Sequence, residues 1–233
     1  IHEGGSDFPV HEHPASVALR EGHAVTDVVM GVWHPVAAEW NWMRIDAYPS
    51  NVGSSDGQQK IYAVFSDITA QRTSEMAVRQ TRKFLSDVLA AASEVSIIAT
   101  DRDGLITVFN KGAERLLGYG AADMVGKRTP AVLHVPDEVL SRAKELSTEF
   151  GRPIEGFRVF VEKPERDGSE TREWTYVHSE GRHIPVSLVV TPMHDASGEI
   201  TGYLGIAENI TERKAAEQEL RESEQRFRSM LET

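Results

Sequence analysis

The triplet Asp67-Ile68-Thr69 recurs as Asn209-Ile210-Thr211, and the residues on either side recur in kind. An apolar, strand-like run precedes each copy, 60–66 (KIYAVFS) and 200–208 (ITGYLGIAE). A polar stretch rich in Glu, Gln, Arg and Ala follows each, a composition that favours helix. Farther back, one alternating strand ends at Tyr48-Pro49 and its counterpart at Thr191-Pro192. Farther still, 18–22 (ALREG) parallels 146–151 (LSTEFG), both read as helix ends stopped by glycine. Internal repetition ties two stretches to one architecture, so it constrains the fold more than any single motif. Equivalent positions lie about 142 residues apart in a chain of 233. The chain therefore holds one whole copy, within 85–212, and the C-terminal half of another, 1–70.

The polar stretches also agree in phase. Counted from the two threonines, Val78, Thr81, Leu85 and Val88 match Leu220, Ser223, Phe227 and Met230. This 3-4-3 spacing is that of an a/d seam, with Arg, Glu and Gln elsewhere. One reading is an amphipathic helix lying on its own domain. The other is a two-stranded coiled coil joining the domains of a homodimer. Short heptad runs associate weakly alone, so dimerisation would draw on the domains too. Matched phase favours the coiled coil, because a rigid relay needs a fixed rotational setting. The predicted layout is 1–70, the C-terminal part of a first domain; 71–91, a linking helix; 92–212, a complete second domain; and 213–233, a helix leading to a further domain.

Lys and Arg number 25 against 36 Asp and Glu, a formal charge of −11. With no excess of cations to meet a phosphate backbone, nucleic acid is not expected as a partner. A hydrophobic fraction of 40% suffices for a packed core. No apolar run approaches the roughly 18–20 residues of a membrane span, and the polar opening IHEGGSDFP is no signal peptide. A cytoplasmic location without membrane contact is the expectation, and the chain, opening on Ile1 rather than Met, is read as a piece of something longer. Cysteine is absent, which removes disulfides, thiolate catalysis, iron–sulfur ligation and any chromophore bonded to a protein thiol.

No reaction is legible. There is no phosphate-cradling glycine loop and no serine elbow, and Glu145 with Glu149, like Glu162 with Glu165, reads as a solvated face. No catalytic residue is assigned, and any enzymatic effector is expected outside this chain. His2, His11 and His13 cluster near the start, but no third acidic or thiol ligand follows at a site-like spacing. They read as loop histidines around a helix start, with Pro14 in its first turn. No metal site is assigned.

The second copy runs strand, turn, strand, short helices, longer helix, then three strands. Residues 95–99 are largely apolar and β-branched, and Asp101-Arg102-Asp103-Gly104 supplies a hairpin turn before a strand at 105–109. Asn110 caps a short helix stopped at Gly118. Val139, Leu140, Ala143, Leu146 and Phe150 predict a helix over 136–150. Phe157, Val159 and Val161 alternate with Arg158, Phe160 and Glu162, which predicts a strand within 152–171. Strands at 172–178, 183–193 and 200–208 complete the set. Runs of strands with helices bunched between them indicate an α+β class with an antiparallel sheet.

This order, carried by ATDRDGLITVFNKGAERLLGYGAADMVGK and EWTYVHSEGRHIPVSLVVTPMHDASGEITGYLGIAENITERK, resembles a PAS (Per-Arnt-Sim) sensor domain of a bacterial signalling protein. The second triplet is similar to the Asp-Ile-Thr junction that closes many such domains. Asn209 stands where the acid usually does, so any ion pair of that acid is absent. The final SEQRFRSMLET resembles the lead-in helix of another PAS domain. The resemblance implies a PAS fold: a five-stranded antiparallel sheet with helices over one face and a pocket between. It implies that Val186, Leu188 and Val190 face this pocket, with Leu140, Ala143 and Leu146 arriving from the helix. Trp174 and Tyr176 would stack on a planar ligand. The same side chains would fill the space as ordinary core if nothing binds, and Trp33, Trp40 and Trp42 are open to the same two readings.

In haem-binding relatives the iron ligand is a His on the long helix, and 136–150 has none; His134, just before it, reads as a surface or junction residue. The cofactor stays open, none or a flavin in preference to haem. By resemblance the chain detects a small ligand or redox state. It relays that through Asp67, Ile68 and Thr69, and through Asn209, Ile210 and Thr211, into dimeric helices. The effector, in the same full-length protein, would be a histidine kinase or a cyclic-dinucleotide enzyme. The alternatives are a ligand-free PAS pair serving as dimerisation and spacer module, and a flavin- or haem-based redox or gas sensor.

Overall fold

The computed structural model describes residues 1–50 and 60–231, with side chains through Phe227, so the Met230 side chain of the seam lies outside the described residues. The chain divides into two compact units, Ile1–Phe84 and Leu85–Thr233.

In the first unit, α1 (Pro14–Glu21) begins with Pro14, whose missing N–H has no helical partner to lose at that position, and ends at Gly22 with φ +72°. A three-stranded antiparallel sheet follows, β1 (Val25–His34), β2 (Glu39–Ser50) and β3 (Lys60–Asp67), in that spatial order. Ala18 of α1 and Ile45 and Ala47 of β2 are buried together, whereas Phe65, opposite Ile45, is exposed. The early histidines sit in and around a single 3-10 turn, Val10–Glu12. His2 pairs with Glu12 at 3.1 Å, and no cluster of three metal-ligating side chains occurs among the described residues.

The second unit contains β4 (Ser96–Asp101), β5 (Ile106–Phe109), α3 (Lys111–Leu117), α4 (Ala121–Met124), α5 (Pro136–Phe150), α6 (Arg158–Asp167), β6 (Glu170–Val177), β7 (His183–His194) and β8 (Ile200–Asn209). The five strands form one antiparallel sheet in the order β5-β4-β8-β7-β6, so β8 is central, flanked by β4 and β7. Helices α3 to α6 all fall between β5 and β6 in the chain. Leu117, Met124, Leu146 and Phe160 from them share a core with Ile98, Ile106, Val186 and Leu188 of the sheet. At the β4–β5 turn the Asp101 carboxylate accepts the N–H groups of Asp103 (3.0 Å) and Leu105 (2.8 Å). Gly104, at φ +87°, leaves room for the Phe157 ring, which a Cβ there would meet at 2.6 Å.

The strand expected within 152–171 is a helix, α6. Val159, Phe160, Val161 and Glu162 are all buried in succession, so the apparent alternation marks a wholly enclosed segment and not a two-faced strand. Arg158 binds Glu162 one turn on, an i,i+4 pair that supports helix, and Gly168 closes it at φ +86°. This also changes the repeat. The helix immediately before β6 is α6, so α1 with Arg20-Glu21-Gly22 matches Arg166-Asp167-Gly168, and not the end of α5. The strands repeat in register: Met43 pairs with Asp67 as Val186 pairs with Asn209, and Pro49 lies six residues beyond Met43 as Pro192 does beyond Val186.

Two long helices follow the repeated triplets, α2 (Thr69–Ala91) and α7 (Thr211–Leu231). Val78, Leu85, Val88, Leu220 and Phe227 of the seam are between 49% and 62% exposed. No helix among the described residues is long and apolar enough to cross a membrane.

Asn110 ties this second unit together. Its Oδ1 accepts from Ile97 N–H (2.9 Å) and Ala113 N–H (2.8 Å), while its Nδ2 donates to Ala92 O (2.8 Å) and Val95 O (3.1 Å). Asn110→Ala strands these partly buried partners together and is expected to cost about 3 kcal/mol in urea denaturation. A loss below about 1 kcal/mol would show that these bonds are dispensable.

Candidate functional site

A cavity of about 40 Å³ lies between the inner face of the second unit's sheet and α6. It exists because Gly205 of β8, in register between Ile98 and Val190, contributes no side chain to that face. Phe157, Phe160 and Val161 close it from the helix side, and Tyr203 closes it from β8. The α6 cover is locked by charge: Glu162 is held by Arg152 and Arg158, and Arg158 also meets Glu165 at 2.6 Å, which accepts from the Tyr203 hydroxyl. Glu162 is therefore a buried ion-pair partner and not part of a solvated face. Arg158 first, and the Tyr203 hydroxyl with it, holds the Glu165 carboxyl below its usual value.

His134 lines the cavity and is only 3% exposed, which corrects its reading as a surface residue. A 3-10 turn, Pro130–Leu133, precedes it and Pro136 follows, and the backbone at His134 itself is extended and forms a single bridge to Tyr176 of β6. The Glu138 carboxylate fixes that approach by accepting Thr175 N–H (2.8 Å) and the Thr175 hydroxyl (2.6 Å). The imidazole contacts Phe160, Trp174 and Tyr176 at centroid distances of 4.4, 5.1 and 4.9 Å. Its Nδ1 lies 2.9 Å from Pro130 O. A carbonyl only accepts, so Nδ1 carries the proton and Nε2 of the neutral ring is an acceptor. Nε2 has no hydrogen-bond partner among the described residues, and neither does Oγ1 of Thr100, which lines the same cavity. Burial pulls the His134 pKa down to about 4, against the opposing pull of the Pro130 bond and Glu138. Burial likewise pushes the Tyr176 hydroxyl above its ordinary range.

Of the residues proposed for the pocket, Tyr176, Leu188 and Val190 line this cavity. Trp174, Val186 and Leu146 are buried in the core around it, and Ala143 is half-buried against that core. Leu140 is elsewhere, 60% exposed on the outer side of α5. The helix is turned by Glu138 and by buried Arg142, which meets Glu170 of β6 at 2.5 Å, so Val139 faces in and Leu140 out. His134, Thr100, Phe157, Phe160 and Tyr203 were not assigned to the pocket from sequence, and only the flanking prolines hinted at an extended His134. A cavity of roughly 150 Å³ is what one benzene ring occupies. The cavity of this structure is smaller than the ring system of a flavin or a haem.

Both triplets form the same joint. Asp67 Oδ1 accepts Thr69 N–H at 2.9 Å, and Asn209 Oδ1 accepts Thr211 N–H at the same distance. Asn209 thus starts its helix as an acid does, without the charge. Ile68 N–H donates to Trp42 O (2.8 Å) and Ile210 N–H to Pro185 O (3.0 Å), with Ile210 buried. Trp42 N–H returns a bond to Thr69 Oγ1 at 2.8 Å; its counterpart Pro185 has no N–H to give. Trp42 itself lies under the Arg72 guanidinium, 4.6 Å from the ring centroid, whereas Trp33 and Trp40 are exposed.

The lowered pKa of His134 fixes the sign of its effect. The neutral ring stabilises the fold fully above the ordinary value of 6.5, and that contribution is lost as pH falls towards 4. Wild-type protein should lose about 3 kcal/mol more than His134→Gln between pH 7 and pH 4. Urea titrations at stepped pH measure the difference, and parallel profiles would place the imidazole in contact with water.

A PAS domain family model matches residues 94–212. A C4-dicarboxylate transport sensor protein, DctS, of Rhodobacter capsulatus is 32% identical over 125 residues, 52% of this chain and 17% of that protein. The signal transduction histidine-protein kinase AtoS of Escherichia coli is 27% identical over 156 residues, 64% of this chain and 21% of AtoS. The chain thus spans about a fifth of the length of these relatives. A solved PAS domain from Colwellia psychrerythraea, 25% identical, aligns over 58% of this chain and 98% of its own, with a TM-score of 0.44. With its five-stranded antiparallel sheet and helices over one face, the chain belongs to the PAS domain family.

Proposed function

We propose that this chain is the sensory module of a larger signalling protein, and that it passes a change in the second unit's cavity into α7. The observation that carries the reading is the double use of β8. Tyr203 and Gly205 of that strand form the cavity wall, and four residues after Gly205 the same strand becomes the Asn209-Ile210-Thr211 joint. A shift at the wall is a shift in the strand that starts the helix. The reading takes 1–70 as the C-terminal part of a first PAS domain, supported by the repeated register and joint. It takes 71–91 and 213–233 as signalling helices flanking a complete domain at 92–212. The exposed, phase-matched seams support a homodimer through helices and domains. The names of DctS and AtoS support a sensor kinase as the whole protein. The effector is then a histidine kinase in the same full-length chain, with a cyclic-dinucleotide enzyme the less supported choice. The formal charge of −11 and the absence of a spanning helix among the described residues agree with a cytoplasmic module that contacts neither nucleic acid nor membrane.

A C4-dicarboxylate does not suit this cavity. None of the side chains lining it is cationic, and an unpaired dianion in an apolar enclosure is heavily penalised. The small volume favours as second reading a ligand-free module that dimerises and spaces its neighbours.

Rotational phase separates a relay from a spacer. One residue inserted after Arg213 of the full-length protein turns the seam by about 100°. It should change autophosphorylation of the kinase several-fold, and a seven-residue insertion should restore it. Unchanged output after the single insertion would overturn the relay.

A further inference from the structure

We propose that the cavity beside His134 is a binding site for a small alcohol of about two to four non-hydrogen atoms, whose hydroxyl donates to His134 Nε2 and accepts from Thr100 Oγ1. The inference rests on the sensory reading above and gives its site a ligand class. Two observations carry it. Two nearly fully buried side chains on different elements, β4 and the bridge before α5, line one small cavity, and each leaves a polar atom without a hydrogen-bond partner among the described residues. A buried polar atom left unpaired costs free energy that a fitting partner recovers. The two atoms are also complementary in kind. Pro130 O engages Nδ1, so Nε2 can only accept, while the Thr100 hydroxyl can donate.

A hydroxyl supplies one donor and accepting lone pairs and therefore satisfies both. A carboxylate has no proton to offer Nε2, and an ammonium would bring an unpaired charge into an enclosure whose other named walls are Ile98, Phe160, Leu188 and Val190. The volume excludes ring systems. An ordered water could make the same hydrogen bonds, and a short-chain alcohol adds to them an alkyl chain matched to the apolar walls.

Ethanol is the probe, with acetonitrile as a molecule of equal heavy-atom count that cannot donate. The readout is the Nε2 resonance of His134 in long-range ¹H–¹⁵N spectra of uniformly labelled protein, which moves upfield when an unprotonated imidazole nitrogen accepts a hydrogen bond. Three heavy atoms limit the affinity, so half-saturation is expected at about 1 mM or weaker. Ethanol should shift Nε2 saturably, and acetonitrile should not. The near-isosteric Thr100→Val should weaken ethanol about 5- to 10-fold while leaving the shift at saturation in place. A resonance unmoved by ethanol up to about 0.5 M, or moved equally by acetonitrile, overturns the proposal. The insertion experiment after Arg213 does not involve the cavity. A silent His134 with intact phase dependence therefore removes the alcohol site alone, whereas lost phase dependence removes the relay itself.

Discussion

The second unit depends on one amide. Asn110 bonds to Ala92, Val95, Ile97 and Ala113, so a single side chain fixes the approach to β4, the edge of β4 and the first turn of α3. Every one of those partners is a backbone group, so the arrangement depends on how closely the backbones approach. Gly112 stands in the same knot: a Cβ there would sit 1.9 Å from Val95 O. Because β4 lies beside the central strand β8, an error in its placement would propagate to the strand that walls the cavity and starts α7.

On the opposite side of the cavity the restraint is ionic and not amide-based. Glu162 is buried, and its two arginines are the means by which a carboxylate is tolerated there. Since Arg158 continues to Glu165 and Glu165 to Tyr203, the same chain of contacts reaches from α6 to β8. The cavity is thus held between a rigid floor and a cover fastened by exchangeable ion pairs.

What the sequence made legible and what it hid divide along physical lines. Local rules sufficed where the structure is local: the Asp101–Gly104 turn, the Asn110 cap, the span of α5 and the long helices α2 and α7. They failed where burial was complete on all sides. In α6 the run Val159, Phe160, Val161 and Glu162 is enclosed all round, so neither a period of two nor one of 3.6 is expressed, and an alternation of residue types was mistaken for a strand. Leu140 and Val139 are neighbours that differ by one helical step, and only the tertiary anchors at Glu138 and Arg142 decide which of them faces inward. His134 was hidden for another reason. Its burial comes from a one-residue bridge to a strand some forty positions away, and polar residues are buried too rarely for a lone His to declare itself.

The proline at 185 gives the two helix joints unequal compliance. In the first joint the chain between strand and helix is fastened twice to Trp42, once through its carbonyl and once through its N–H. In the second, Pro185 offers a carbonyl alone. At the backbone one bond holds α7 to β7 where two hold α2 to β2, while Arg213 and Lys214 of α7 add ion pairs to Glu173 of β6. The first joint is thus fastened to its strand by backbone groups, and the second leans on half-exposed side-chain ion pairs, which yield more readily. The residue that sets this difference in backlash touches neither the cavity nor the seam.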